Sequence, residues 1–244
     1  MISTRISVII PTLNEAGNIE QLLQAMPVDL VNEVIVVDAG STDGTREIAR
    51  AEGAHVVDET RRGYGRALAA GIHRADRPNY LVFMDGDGSD APENIPLLLQ
   101  PLLDNQADLV LGTRLLRPGD AAGMPVHQKF GNALAGWLVR QLYRAPISDL
   151  GPFRAARADL VHQLDMSEMT FGWPTEMLVK SLRRKARVVE VPVLFSSRRH
   201  GRSKISGTLK GTLLAAYHIL KTTLRYSIGR QPVYRPDQRQ DRVL

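Results

Sequence analysis

Residues 6–15 read ISVIIPTLNE, residues 34–45 read VIVVDAGSTDGT and residues 80–90 read YLVFMDGDGSD. Each is a short apolar run, rich in β-branched residues in the first two cases, that stops at a polar or acidic turn. Continuous apolar runs of this length belong to strands covered on both faces, as in a parallel sheet. The pattern predicts strands over Ile6–Ile10, Val34–Val37 and Tyr80–Met84, with weaker ones at His55–Val57 and Asp108–Leu111. Helical patterns fall between them at Ala16–Met26, Asp43–Glu52, Ala67–Arg74 and Asn94–Leu103. Ser41-Thr42-Asp43 precedes the second of these and offers N-cap oxygens. Strands alternating with helices predict an α/β fold of three layers, a mostly parallel sheet flanked by helices. The second half is less regular. Phe130–Leu142 and Phe171–Leu182 read as helices, and Arg187–Phe195 as a strand that Pro192 confines to a sheet edge.

Composition narrows the chemistry. The chain has 244 residues and no cysteine, which excludes disulfides, a thiolate nucleophile and Cys-ligated zinc or iron–sulfur centres. That length suits one large domain with its own core. The N-terminus lacks the basic and long apolar regions of a signal peptide, so the expected location is the cytoplasm. No uncharged apolar run reaches the roughly 18 residues needed to span a bilayer. Charge is uneven. Residues 1–182 carry 16 Lys and Arg against 23 Asp and Glu, whereas residues 183–244 carry 15 against 3. A basic C-terminal quarter on an acidic body points to an anionic partner.

In sheets of this kind ligands bind outside the carboxyl ends of the strands. Three such ends are polar here: Pro11–Glu15, Asp38–Thr45 and Asp85–Asp90. Asp85 and Asp87, separated by Gly86, can both reach one hard cation. Mg²⁺ typically takes one or two protein carboxylates and completes its shell with water and substrate phosphate. The pair therefore implies a metal-bound diphosphate. DGDGSD is not an EF-hand loop, because Asp90 stands where Gly is required and Pro96 where Glu is required. Gly63-Tyr64-Gly65 lacks the third glycine of a dinucleotide fingerprint, and Gly201–Lys204 lacks P-loop spacing. Hydride transfer and ATP hydrolysis lose their support.

The ordered set PTLNE, VVDAGSTDGT, RRGYGRALAAGI, FMDGDGSD, GTR, SDLGPFRA, FGWPTEM and RRHGRSKISGT spans Pro11–Thr208. It resembles the family 2 glycosyltransferases of the GT-A fold, a Rossmann-like architecture, and within them the dolichol- or polyprenol-phosphate mannosyl- and glucosyltransferases. The resemblance implies a nucleotide-sugar donor, a divalent metal (Mg or Mn) and inversion at the anomeric carbon. It implies that Pro11, Asn14 and Glu15 form the base and ribose end of the donor site, with Asp38 facing the nucleotide. Ser41 and Asp43 would shape the adjoining turn. Asp85 and Asp87 would be the metal and diphosphate ligands, and Arg114 an acceptor-side or donor-phosphate contact. Asp149, Arg154 and Glu176 align with motifs near the acceptor. Arg202, Ser203 and Lys204 resemble a mobile loop closing over phosphates, where cations neutralise the leaving nucleoside diphosphate. Gly86 departs from the alanine usual in mannosyltransferase relatives.

These readings divide the chain into a catalytic domain over residues 1–204, an amphipathic helix over 205–228 and a flexible tail over 229–244. Leu209, Leu213, Ala216, Leu220, Leu224 and Ile228 form one apolar stripe, with Lys210, Lys221 and Arg225 beside it. Two placements stay open: the helix lies peripherally in a membrane interface, or it packs on the domain or a second copy. The expected acceptor is a polyprenyl-type lipid phosphate. The alternative is a hydroxyl acceptor, for which Asp149 is the candidate general base. A non-enzymatic anion-binding module leaves the acidic rim unexplained, and no motif for reading nucleic acid is present.

Overall fold

The computed structural model describes residues 4–114, 140–143, 145–194, 196, 221–223 and 225–226. The strands are β1 (Ile6–Thr12), β2 (Glu33–Asp38), β3 (His55–Asp58), β4 (Tyr80–Phe83), β5 (Leu109–Thr113), β6 (Arg154–Arg157) and β7 (Val188–Pro192). They form one sheet in the order β3-β2-β1-β4-β6-β5-β7. All neighbours pair in parallel except β6, which is antiparallel to both β4 and β5. This is the GT-A arrangement of a mostly parallel sheet between helices.

Period-two alternation sorts each buried strand between two cores. Ile9, Ile35, Val37, Leu81, Phe83, Leu109 and Leu111 face one side. There they meet α3 (Tyr64–Arg74), α5 (Ala158–Gln163) and α6 (Trp173–Arg183). Val8, Ile10, Val36, Val82 and Val110 face the other, against α1 (Ala16–Gln24), α2 (Thr45–Ala51) and α4 (Ile95–Leu103). Phe83 and Trp173 meet edge-on, ring centroids 5.0 Å apart, within the first core.

The expected strands are present, and β7 lies at the sheet edge. Three details differ. β6 and α5 had no signal in the sequence. α3 starts three residues early, at Tyr64 instead of Ala67. α2 begins at Thr45 after Gly44, which takes a φ of 93° and has no side chain with which to cap the helix. Asp43 caps from one residue further out, its Oδ1 accepting the Thr45 N–H at 3.1 Å. Of the Phe130–Leu142 and 205–228 patterns, only residues 140–142, 221–223 and 225–226 fall among those described, and 140–142, 221–223 and 225 are helical. Among the described residues no helix is long and apolar enough to cross a membrane.

Candidate active site

The polar strand ends converge on one rim because β1, β2, β4 and β5 run the same way. β6 runs oppositely, so the turn before it, carrying Asp149, arrives at that rim as well. The first two turns are tied together by their own side chains. Asn14 takes the left-handed conformation (φ 51°), which Asn tolerates better than most residues. Its N–H donates to Ser41 Oγ at 2.8 Å and its Oδ1 accepts from the Thr42 N–H at 2.9 Å. Asp43 Oδ2 accepts the Ala16 N–H at 3.0 Å. Burial would raise the Asp43 pKa, but the hydroxyl of Thr45 and the surrounding N–H groups outweigh it and lower it.

Asp38 is fully buried. Its Oδ1 accepts the Gly40 and Ser41 N–H groups and its Oδ2 accepts the Thr12 and Ser41 hydroxyls. The carboxylate builds the turn, and it is Ala39 that lines the adjacent cleft. That cleft, about 270 Å³, is bounded by Pro11, Leu13, Glu15, Arg62, Tyr64, Asp85 and Asp87. Arg62 and Tyr64 belong to the RRGYGRALAAGI stretch of the family resemblance, which assigns no role to either.

Beyond β4 the chain turns tightly. Asp87 Oδ1 accepts the Ser89 N–H at 3.0 Å, and Asp90 Oδ2 accepts the Asp85 N–H at 3.0 Å. Tyr64 Oη donates to Asp85 Oδ1 at 3.1 Å. A Cβ on Gly86 would come 2.8 Å from Thr12 Cγ2, so the missing alanine has a local cause, the neighbouring threonine. Burial, with Asp87 and Asp90 close by, holds the Asp85 carboxyl well above the usual range. Burial likewise pushes Asp90 up to about 7, with Asp87 and Asp149 adding to it against the Asp85 N–H and Arg114. Crowded carboxylates at a cleft are a donor set that a divalent cation relieves, with Asp85 and Asp87 the two on the rim. Among the described residues no group of three or more His, Cys, Asp or Glu side chains is arranged around a single point, so substrate and water would complete any coordination shell.

Arg114 and Asp149 form a buried bidentate pair. Arg114 Nε donates to Asp149 Oδ2 at 2.7 Å and Nη2 to Oδ1 at 2.8 Å, with side-chain exposures of 8% and 0%. Glu190 of β7 accepts the N–H groups of Ser148 and Asp149 and so fixes that turn. Arg154 is also buried, its guanidinium donating to the carbonyls of Gly151 and Pro174. Burial lowers its pKa to about 10. Glu176 is engaged by the loop that precedes its own helix and by the 221–226 segment. It accepts from Ser167, from the Glu168 N–H, from Tyr226 Oη at 2.6 Å and from Lys180 Nζ at 2.8 Å. It joins α6 to the 221–226 segment. Ser196, four residues beyond β7, donates from N and Oγ to the carbonyls of Ser89 and Gly88. Arg202, Ser203 and Lys204 lie outside the described residues.

The structure thus gathers Pro11, Glu15, Asp85 and Asp87 about one cleft, with Arg114 and Asp149 beside the acidic turn. Asn14 and Asp38 hold the first two turns together, and Glu176 holds the 167–168 backbone. Residues 7–161 match the model of Glycosyl transferase family 2. The chain belongs to that family. It is 37% identical over 215 residues, 88% of this chain and 96% of the relative, to an uncharacterized glycosyltransferase of Mycobacterium tuberculosis. It is 33% identical over 223 residues, 85% of this chain and 90% of the relative, to undecaprenyl-phosphate mannosyltransferase of Micrococcus luteus. Among solved structures it resembles glucosyl-3-phosphoglycerate synthase of Mycobacterium tuberculosis in complex with phosphoglyceric acid. That match has a TM-score of 0.75 and 26% identity, covering 92% of this chain and 80% of the other. The same synthase has been solved with Mg²⁺ and uridine diphosphate.

Proposed function

We propose that this glycosyltransferase moves a sugar, with inversion, from a nucleotide-diphosphate sugar to a phosphate-bearing acceptor of the polyprenyl-phosphate class. The observation that carries the donor half is the acidic turn at Asp85–Asp90 beside the cleft of Pro11–Glu15, Ala39 and Arg62. Asp85 and Asp87 would hold a divalent cation, which supplies charge neutralisation at the diphosphate. The complexes of the related synthase with Mg²⁺ and uridine diphosphate support this assignment. Arg202 and Lys204 are assigned from the sequence to the same developing charge.

In the reaction an acceptor oxygen forms a bond to the anomeric carbon from the face opposite the donor diphosphate. The anomeric carbon–oxygen bond to the β-phosphate breaks, and the nucleoside diphosphate leaves with the electron pair. A hydroxyl acceptor needs a base for its proton, whereas an ionised phosphate needs none. Asp149, the candidate base, is buried with both oxygens on Arg114. That commitment favours the phosphate. The relative named for undecaprenyl phosphate supports the phosphate as nucleophile, and the phosphoglyceric acid bound to the neighbour, which carries both a phosphate and a hydroxyl, supports only a phosphate-bearing acceptor. The lipid class is preferred because the stripe Leu209–Ile228 with its flanking cations suits a membrane interface on the cytoplasmic face.

A panel of nucleotide sugars, read as protection against melting with Mn²⁺ or Mg²⁺ and as transfer to polyprenyl phosphate, phosphoglycerate or a hydroxyl acceptor, tests this reading. Asp85→Asn and Asp87→Asn should lose metal-dependent donor binding with the fold intact. Wild-type donor binding in both variants would overturn the metal assignment, and transfer to hydroxyl acceptors alone would overturn the phosphate.

A further inference from the structure

The motif Arg61–Ala67, RRGYGRA, lacks the spacing of a dinucleotide fingerprint, yet its glycines are needed. A Cβ on Gly63 would fall 2.4 Å from the Met169 carbonyl oxygen, and φ there is 150°. A Cβ on Gly65 would fall 2.2 Å from the Glu168 carbonyl oxygen and 2.9 Å from Trp173 Cδ1. Two of these three neighbours are backbone atoms, which cannot swing aside as a flexible side chain can. The absence of side chains lets the start of α3 abut the 168–170 loop. The Gly65 N–H donates to the Thr170 carbonyl at 3.3 Å and the Arg66 N–H to the Met169 carbonyl at 3.1 Å. These are N–H groups that a helix start leaves without intrahelical partners, and α3 has no side-chain cap to serve them. The loop is secured on its far side by Glu176, which accepts the Ser167 and Glu168 N–H groups.

Tyr64, between the two glycines, is therefore held at a fixed height on the cleft wall. Its ring packs against the core that contains Trp173 and Phe83, and its hydroxyl meets Asp85 Oδ1. We propose that Tyr64 is a positioning residue: its hydroxyl fixes one oxygen of Asp85 so that the other is presented to the divalent cation, and Gly63 and Gly65 bring it there. The inference rests on Asp85 being a cation ligand. Hydrogen bonds from a second layer of side chains commonly govern how ligating carboxylates are oriented, and their loss weakens metal binding about 10–100-fold.

The test is Mn²⁺ uptake by the full chain, followed by electron paramagnetic resonance of the free ion, with inorganic diphosphate present. Tyr64→Phe keeps the ring and removes only the hydroxyl. The expected result is Mn²⁺ affinity weakened about 10-fold or more with the melting temperature of the metal-free protein unchanged. In an Asp85→Asn background the same change should cost nothing further, because its effect runs through that carboxylate. Wild-type Mn²⁺ affinity in Tyr64→Phe, with binding lost in Asp85→Asn, would overturn the role of Tyr64 and leave the metal site standing. Equal losses from Tyr64→Phe in both backgrounds would also overturn it. Mn²⁺ uptake that Asp85→Asn leaves intact would overturn the metal assignment itself.

Discussion

Replacing Asp149 by Asn separates two roles that the sequence leaves open. In the structure Arg114 donates to both carboxylate oxygens of Asp149 from Nε and Nη2, and its backbone N–H adds a third contact at 3.2 Å. Asn keeps the shape but removes the charge, leaving a guanidinium that is 8% exposed without its counter-ion. Breaking a buried pair in this way costs about 3–5 kcal/mol. Asp90 and Asp85 also favour the charged guanidinium, so the lower end, about 3 kcal/mol, is expected. Against a typical stability of about 5–15 kcal/mol the variant stays folded. At about 2–4 °C per kcal/mol for a chain of this size, its midpoint should fall by roughly 6–12 °C. Urea unfolding of Asp149→Asn, Arg114→Met and the double variant measures the coupling directly, which for contacting residues spans about 0.5–3 kcal/mol. Turnover with polyprenyl phosphate should remain substantial at neutral pH. Undiminished stability together with a turnover loss on the order of 10²–10⁴-fold would instead mark Asp149 as a general base, and a coupling near zero would refute the pair as a structural unit.

Three further outcomes are expected. Arg202→Ala with Lys204→Ala should lower turnover more than donor affinity, because the role proposed for these cations is to act on charge that develops in the transition state; steady-state kinetics beside donor titration checks this. Asp90, raised to about 7 in the folded chain, favours folding at low pH, and that contribution drains away as pH rises from about 4 through 7. The metal-free Asp90→Asn variant should therefore gain on wild type in urea unfolding between pH 5 and pH 8, and a constant gap would refute it. Glu176 behaves oppositely. Burial raises its pKa, but Lys180, Tyr226 and the N–H groups of Glu168 and Ser167 lower it overall, so its contribution is full above the unfolded value near 4.5 and is lost as pH falls below that. In Glu176→Gln that acid-side loss should flatten in a pH series of melting curves, and an unchanged acid limb would refute it.

Strand and helix alternation in residues 6–111 was legible because each buried parallel strand must be apolar on both faces and must end where its polar turn begins. The acidic turn at Asp85–Asp90 was legible for the same reason. β6 was not. Arg154-Ala155-Ala156-Arg157 carries no β-branched residue and two charges, yet all four are buried, because the strand is inserted antiparallel between β4 and β5. Sheet context overrides propensity in so short a segment. The same insertion delivers Asp149 to the rim and into the hands of Arg114, a partner 35 residues away that no local pattern announces. The partners of Glu176 were equally hidden, since its oxygens hold the 167–168 backbone, Lys180 and Tyr226, the last 50 residues away in the chain. By itself the sequence determined the layered fold and the place of the acidic turn that carries the proposed donor-site carboxylates, because both follow from local periodicity and local spacing. Only the tertiary structure decided which polar side chains face the cleft and which bind one another, because those choices depend on contacts between residues distant in the chain.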